Sequence, residues 1–134
     1  MKRKTIIILI IVFAGLFGLY ESLRHFGVFP GIVSSRVIEK KIINQTERFV
    51  IKSDENAKYS YHMDLIMSGE INGTGILCIE YSDSICYQTD TISDNFKVNF
   101  HGDWYENGFT IKYTPIKATK GELTIDYTIF GNRK

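Results

Sequence analysis

Two hydrophobic patterns divide the chain. Residues 5–20, TIIILIIVFAGLFGLY, are an unbroken apolar run directly behind Met1-Lys2-Arg3-Lys4, whereas beyond Arg36 the apolar residues recur with a period of two rather than 3.6. The first pattern predicts one helix and the second an all-β domain.

The run alone would cover about 24 Å as a helix, less than the roughly 30 Å of a bilayer's hydrocarbon layer. The following residues, Glu21-Ser-Leu-Arg-His-Phe26, contain no helix breaker, and Gly27 is a natural stop. A helix reaching Phe26 would span roughly 33 Å, with Lys2, Arg3 and Lys4 snorkelling at one interface and Tyr20 and Phe26 near the other. The cluster of basic residues ahead of the run predicts a cytoplasmic N-terminus and a translocated remainder. The rival reading is a cleaved signal peptide. Its one tolerable cleavage site, Val12-Phe13-Ala14, would leave an apolar core near the lower limit for such a segment, so the anchor is preferred. Residues 1–26 are thus assigned to the anchor (alternatively the signal peptide), 27–35 to a linker carrying Gly27, Pro30 and Gly31, and 36–134 to an extracytoplasmic β-domain.

Within that domain, residues 37–43 and 48–52 are short β-branched runs separated by Asn44-Gln45-Thr46. Tyr59, Tyr61, Met63, Leu65 and Met67 define the apolar side of a third strand, with Ser60, His62 and Asp64 on its polar side. Asn72-Gly73 predicts a hairpin into residues 76–81. After a polar stretch at 89–95, Phe96, Val98 and Phe100 alternate with Lys97, Asn99 and His101. Asn107-Gly108 predicts a second hairpin that sets Trp104 opposite Ile111 and turns the indole inward. Pro115 ends that strand, and Lys120-Gly121 leads into residues 122–130, where Leu123, Ile125, Tyr127 and Ile129 alternate with polar partners. Seven or eight strands at roughly ten-residue spacing predict a small antiparallel β-sandwich, with a small β-barrel as the alternative.

The net charge of +1 and the scatter of Lys, Asp and Glu give no basic face, which excludes nucleic acid as the expected partner. Cys78 and Cys86, in CIEYSDSIC, are an even number of residues apart and face the same way across a turn near Ser82-Asp83. In an oxidising compartment they can pair; the alternative is two buried thiols acting as small apolar residues.

Candidate chemistry is sparse. The densest stretch is His101-Gly102-Asp103-Trp104-Tyr105-Glu106-Asn107-Gly108, and His101, Asp103, Tyr105 and Asn107 are its candidate ligand surface. Beside an exposed Trp104 these residues would suit a sugar face, but the alternation places Trp104 in the core and makes Asp103 and Asn107 ordinary turn residues. The H-x-D spacing occurs twice, at His62/Asp64 and His101/Asp103, each pair on one strand face. Facing pairs of this kind can hold a divalent metal, but spacing alone does not bring them together, so no metal ligand, cofactor or catalytic residue is assigned. Asp64, Glu70, Glu80 and Asp126 are scattered, and no serine sits in a nucleophile elbow. Asn44-Gln-Thr46 and Asn72-Gly-Thr74 match the N-glycosylation pattern, which matters only in a host that glycosylates exported proteins.

The expected function is a membrane-anchored extracytoplasmic module that binds or scaffolds a protein or carbohydrate. The alternative is a membrane-assembly accessory acting through its helix, and a small hydrolase or metal-binding protein ranks third.

Overall fold

The structure, a computed structural model, describes residues 3–25, 31–81, 84–118 and 120–134. It contains a helix α1 (Arg3–His25) and strands β1 (Gly31–Ile43), β2 (Glu47–Lys52), β3 (Ala57–Glu80), β4 (Cys86–Asp103), β5 (Gly108–Pro115) and β6 (Lys120–Arg133). The all-β class with one preceding helix is the architecture observed.

The helix α1 forms one unit and residues 31–134 another. Its segment Lys4–Leu23 is long and apolar enough to cross a membrane, and none of it is buried. Twenty-three residues give a helix of about 35 Å. Of the linker 27–35, residues 27–30 lie outside the described residues, as does Phe26, and residues 31–35 already belong to β1.

Six strands replace the expected seven or eight because two expected turns do not close. β3 is one strand of 24 residues that runs straight through Asn72-Gly73. The polar stretch 89–95 likewise lies inside β4. These two strands form one long hairpin; the turn expected near Ser82-Asp83 lies outside the described residues. At Asn72-Gly73 the ladder skips two residues, from Ile71 opposite Asp94 to Thr74 opposite Ser93. The other edge of β3 changes partner at the same place: it pairs with β6 as far as Ile71 and with β5 from Gly75. Inserting residues into one strand bends it and raises its twist. Asn72-Gly73 is therefore a corner rather than a hairpin turn.

The corner splits the sheet into two halves that share the β3–β4 hairpin. One half is completed by β6 and then β1, the other by β5 and then β2. The sheet curls into a half-barrel, intermediate between the sandwich and barrel expected. Met63, Leu65 and Met67 from one half and Leu77, Ile79, Ile111 and Tyr113 from the other belong to one buried cluster, with Leu123, Ile125, Tyr127 and Ile129 of β6. The connection after β5 is pinned to the corner, because the N–H groups of Ile116, Lys117 and Ala118 all donate to the Thr74 carbonyl, at 2.9, 2.9 and 3.1 Å.

The second expected hairpin is corrected too. Among the described residues β4 pairs only with β3, and Ile111 lies opposite Phe49 and Ile79, not Trp104. Asn107-Gly108 carries the chain from one half of the sheet to the other. The inward orientation of Trp104 nevertheless holds, for Gly102 stays in register opposite Met63 without a bulge. Trp104 is fully buried, its N–H donates to the Tyr61 carbonyl, and its indole Nε1 donates to the Gly108 carbonyl at 3.0 Å. Tyr81, from the hairpin tip, stacks on the indole at 4.8 Å, and Phe100 and Phe109 meet it edge-on. The bent hairpin thus folds its tip back onto its own open end, with Trp104 between them.

Candidate functional site

Met63 and Leu65 point into the core, so His62 and Asp64 must point out of it. Across the β3–β4 ladder, His62 lies opposite Asp103 and Asp64 opposite His101. The antiparallel register thus sets each H-x-D pair head to tail against the other on one outer face. Directly opposed residues of a ladder bring their Cβ atoms within about 5 Å, and imidazoles on the diagonal can also meet.

Three of the four side chains converge. His62 Nε2 lies 3.1 Å from Asp64 Oδ1 and 3.2 Å from His101 Nδ1, and His101 Nδ1 makes a close contact with Asp64 Oδ1. The imidazoles are edge to face, 4.4 Å between centroids, and Phe130 of β6 packs beside His62 at 5.8 Å. Burial acts most strongly on Asp64 and would raise its pKa. Hydrogen bonds from His101 and His62, followed by the charges of the two rings, outweigh this and hold the carboxyl below the ordinary aspartate value. The group is open to solvent: side-chain exposure is 28% for His62, 45% for Asp64 and 77% for His101.

The residues of the expected ligand surface take different settings. His101 joins His62 and Asp64, and Asp103 is exposed on the strand end opposite His62. Tyr105 is exposed, but with Trp104 inside the core there is no two-ring platform for a sugar. Asn107 is exposed and hydrogen-bonded within the fold. Its carbonyl accepts from the Ser53 N–H and hydroxyl, both at 3.1 Å, and its Oδ1 accepts from the buried Ser60 hydroxyl at 3.4 Å. The alternation expected from Tyr59 also fails. Register shifts before Tyr59 and between Ser60 and His62 turn Ser60 inward and leave Tyr59 exposed.

Cys78 and Cys86 are joined in a disulfide near the hairpin tip, with Cα atoms 5.7 Å apart. Beside it Glu80 is 1% exposed, and Arg48 reaches it with two nitrogens, Nε to Oε2 and Nη2 to Oε1, each at 3.2 Å. Such a two-pronged guanidinium–carboxylate contact is among the stronger hydrogen-bonded pairings in proteins. Sequence left Glu80 among the scattered acids because its partner lies two strands away, across β5.

No family model matches the chain, and no curated protein matches it. Solved structures do resemble the chain. PirA is similar at 9% identity with a TM-score of 0.52, over 68% of this chain and 92% of PirA. A protein of Bacillus endospore appendages, which form a novel family of disulfide-linked pili, is similar at 9% identity with a TM-score of 0.51, over 78% of this chain and 92% of its own. At such identity the likeness is one of fold alone.

Proposed function

We propose that this protein is a single-pass membrane protein that displays its β-domain outside the cytoplasm as a binding or scaffolding module rather than as a catalyst. One observation carries the reading: α1 is long and apolar enough along Lys4–Leu23 to cross a membrane, while the buried cluster of residues 31–134 is made of that unit's own residues. An apolar helix of this length needs an apolar environment, and a bilayer supplies one. The basic residues ahead of the run favour a cytoplasmic N-terminus. The Cys78–Cys86 disulfide supports the same side for the domain, since such bonds persist in oxidising compartments. The partner class stays a protein or carbohydrate, and the likeness to an appendage subunit is compatible with a scaffold.

A reporter active only in the cytoplasm, fused after Lys134, tests the topology. It should be silent, and alkylation without reductant should leave both cysteines of the exported protein unmodified. Strong reporter activity would reverse the orientation, and two labelled thiols would remove the oxidising compartment from the argument.

A further inference from the structure

The outer face of the β3–β4 ladder presents a donor set that the binding-module reading does not use. His62 Nε2, Asp64 Oδ1 and His101 Nδ1 all lie within 4.8 Å of one another. Two imidazole nitrogens and a carboxylate oxygen suit borderline late first-row divalent cations, whereas Mg²⁺ and Ca²⁺ prefer oxygen alone. Two ligand atoms bound at about 2.0–2.1 Å, with angles between octahedral and tetrahedral, lie about 2.9–3.4 Å apart. The separations of His62 Nε2 from Asp64 Oδ1 and His101 Nδ1, 3.1 and 3.2 Å, fall inside that interval, whereas the close contact of His101 Nδ1 with Asp64 Oδ1 is shorter and must open to admit an ion. We infer that His62, Asp64 and His101 form a binding site for a divalent transition metal of the zinc class.

The scaffold is suited to hold such ions. His62 and Asp64 lie on the central strand, whose alternate residues Met63 and Leu65 are locked in the core, and Phe130 packs on the His62 ring. First ligands carried on strands are placed more accurately than ligands on loops. The third ligand, His101, is the most exposed of the three, so the ion's remaining positions face solvent. They would take water or a donor atom from another molecule, the arrangement of an open site rather than a closed structural one. Asp103, opposite His62 in the ladder, lies outside the three-atom group.

The full-length protein in detergent, stripped with a chelator and then dialysed, is titrated with Zn²⁺ by calorimetry. One Zn²⁺ per chain should bind. X-ray absorption should report a first shell of nitrogen and oxygen with imidazole scattering and no sulfur. His62→Ala and His101→Ala should each weaken binding more than about tenfold, since losing even an outer partner of a metal ligand costs about 10–100-fold. The double variant should bind none, and His25→Ala, which removes the third histidine of the chain, should bind as the parent does. His62→Gln and His101→Gln, checked for an unchanged unfolding midpoint, separate a lost ligand from a lost fold. Absence of stoichiometric Zn²⁺ binding would overturn the assignment. Binding retained in the folded double variant, or a sulfur-containing shell, would do so equally.

Discussion

Asn72-Gly73 and Asn107-Gly108 are the same dipeptide, and both hold their glycine at positive φ, 122° and 149°. Each is the strongest short hairpin signal that a sequence offers, yet neither closes a hairpin. At the first, the chain keeps its direction and changes neighbours, so that one strand serves both halves of the sheet. At the second, the chain leaves β4, crosses to the other half and enters β5 between β2 and β3. The dipeptide specifies a local backbone conformation. Whether the next strand returns to the previous one is decided by tertiary pairing: β5 lies between β2 and β3, although among the described residues the second edge of β4 has no partner strand. A Cβ at Gly73 would lie 2.5 Å from the Lys117 carbonyl oxygen, and one at Gly108 2.4 Å from that of Ile51. Each glycine is thus packed against a segment that the sequence alone does not bring near it.

Trp104 is where corner and crossing meet: its ring stacks on the tip that the corner brings round, and its Nε1 donates to the Gly108 carbonyl of the crossing. Trp104→Ala should therefore have the largest effect, about 3–5 kcal/mol, as for deletion of a large buried aromatic. Urea unfolding measures it, and iodide quenching of the parent checks the premise, since the chain has one Trp. Efficient quenching in the folded state would mean that the indole is not enclosed and that corner and crossing are independent.

What was legible in the sequence is what period-two alternation and long apolar runs encode. The helix ends within a residue or two of the expected limits, and the inward side of β4 and β6 follows from counting. Connectivity was not legible, because among the described residues β3 and β4 are the only consecutive strands that pair. Bulges defeat counting as well, as Ser60 demonstrates. The His62–Asp64–His101 group was half legible: the repeated H-x-D spacing marks the residues, but only the register that sets Asp64 against His101 brings them together.

The two glycines test the comparison at intermediate magnitude. Gly73→Ala and Gly108→Ala place a side chain at positive φ against a backbone oxygen, and strain of this kind costs about 1–3 kcal/mol. Both should destabilise, but they should differ in their spectra. Gly73→Ala disturbs the corner and should shift Trp104 emission by loosening Tyr81 from the indole, whereas Gly108→Ala acts at the indole's acceptor residue. If Gly73→Ala leaves stability unchanged, the corner does not depend on Gly73, and an ordinary bulge would serve as well.

The asparagines should give the smallest effects and separate the two positions most finely. Asn72 Oδ1 accepts the Lys120 N–H at 2.8 Å in an exposed setting, and Asn107 Oδ1 accepts the Ser60 hydroxyl at 3.4 Å. The shorter bond is not the costlier one to lose. Water can replace Asn72 at an exposed N–H, so Asn72→Ala should cost about 0.5 kcal/mol, the low end for a hydrogen bond. Ser60 is 3% exposed, and truncating Asn107 strands its hydroxyl away from solvent. Asn107→Ala should therefore cost about 1 kcal/mol, and Ser60→Ala in the same chain should recover part of that loss, because removing both partners of a buried bond is milder than removing one. A double-mutant cycle by urea unfolding measures the coupling. Additive losses at Ser60 and Asn107 would show that the long contact carries no energy, and that Asn107 serves the chain through its backbone carbonyl alone.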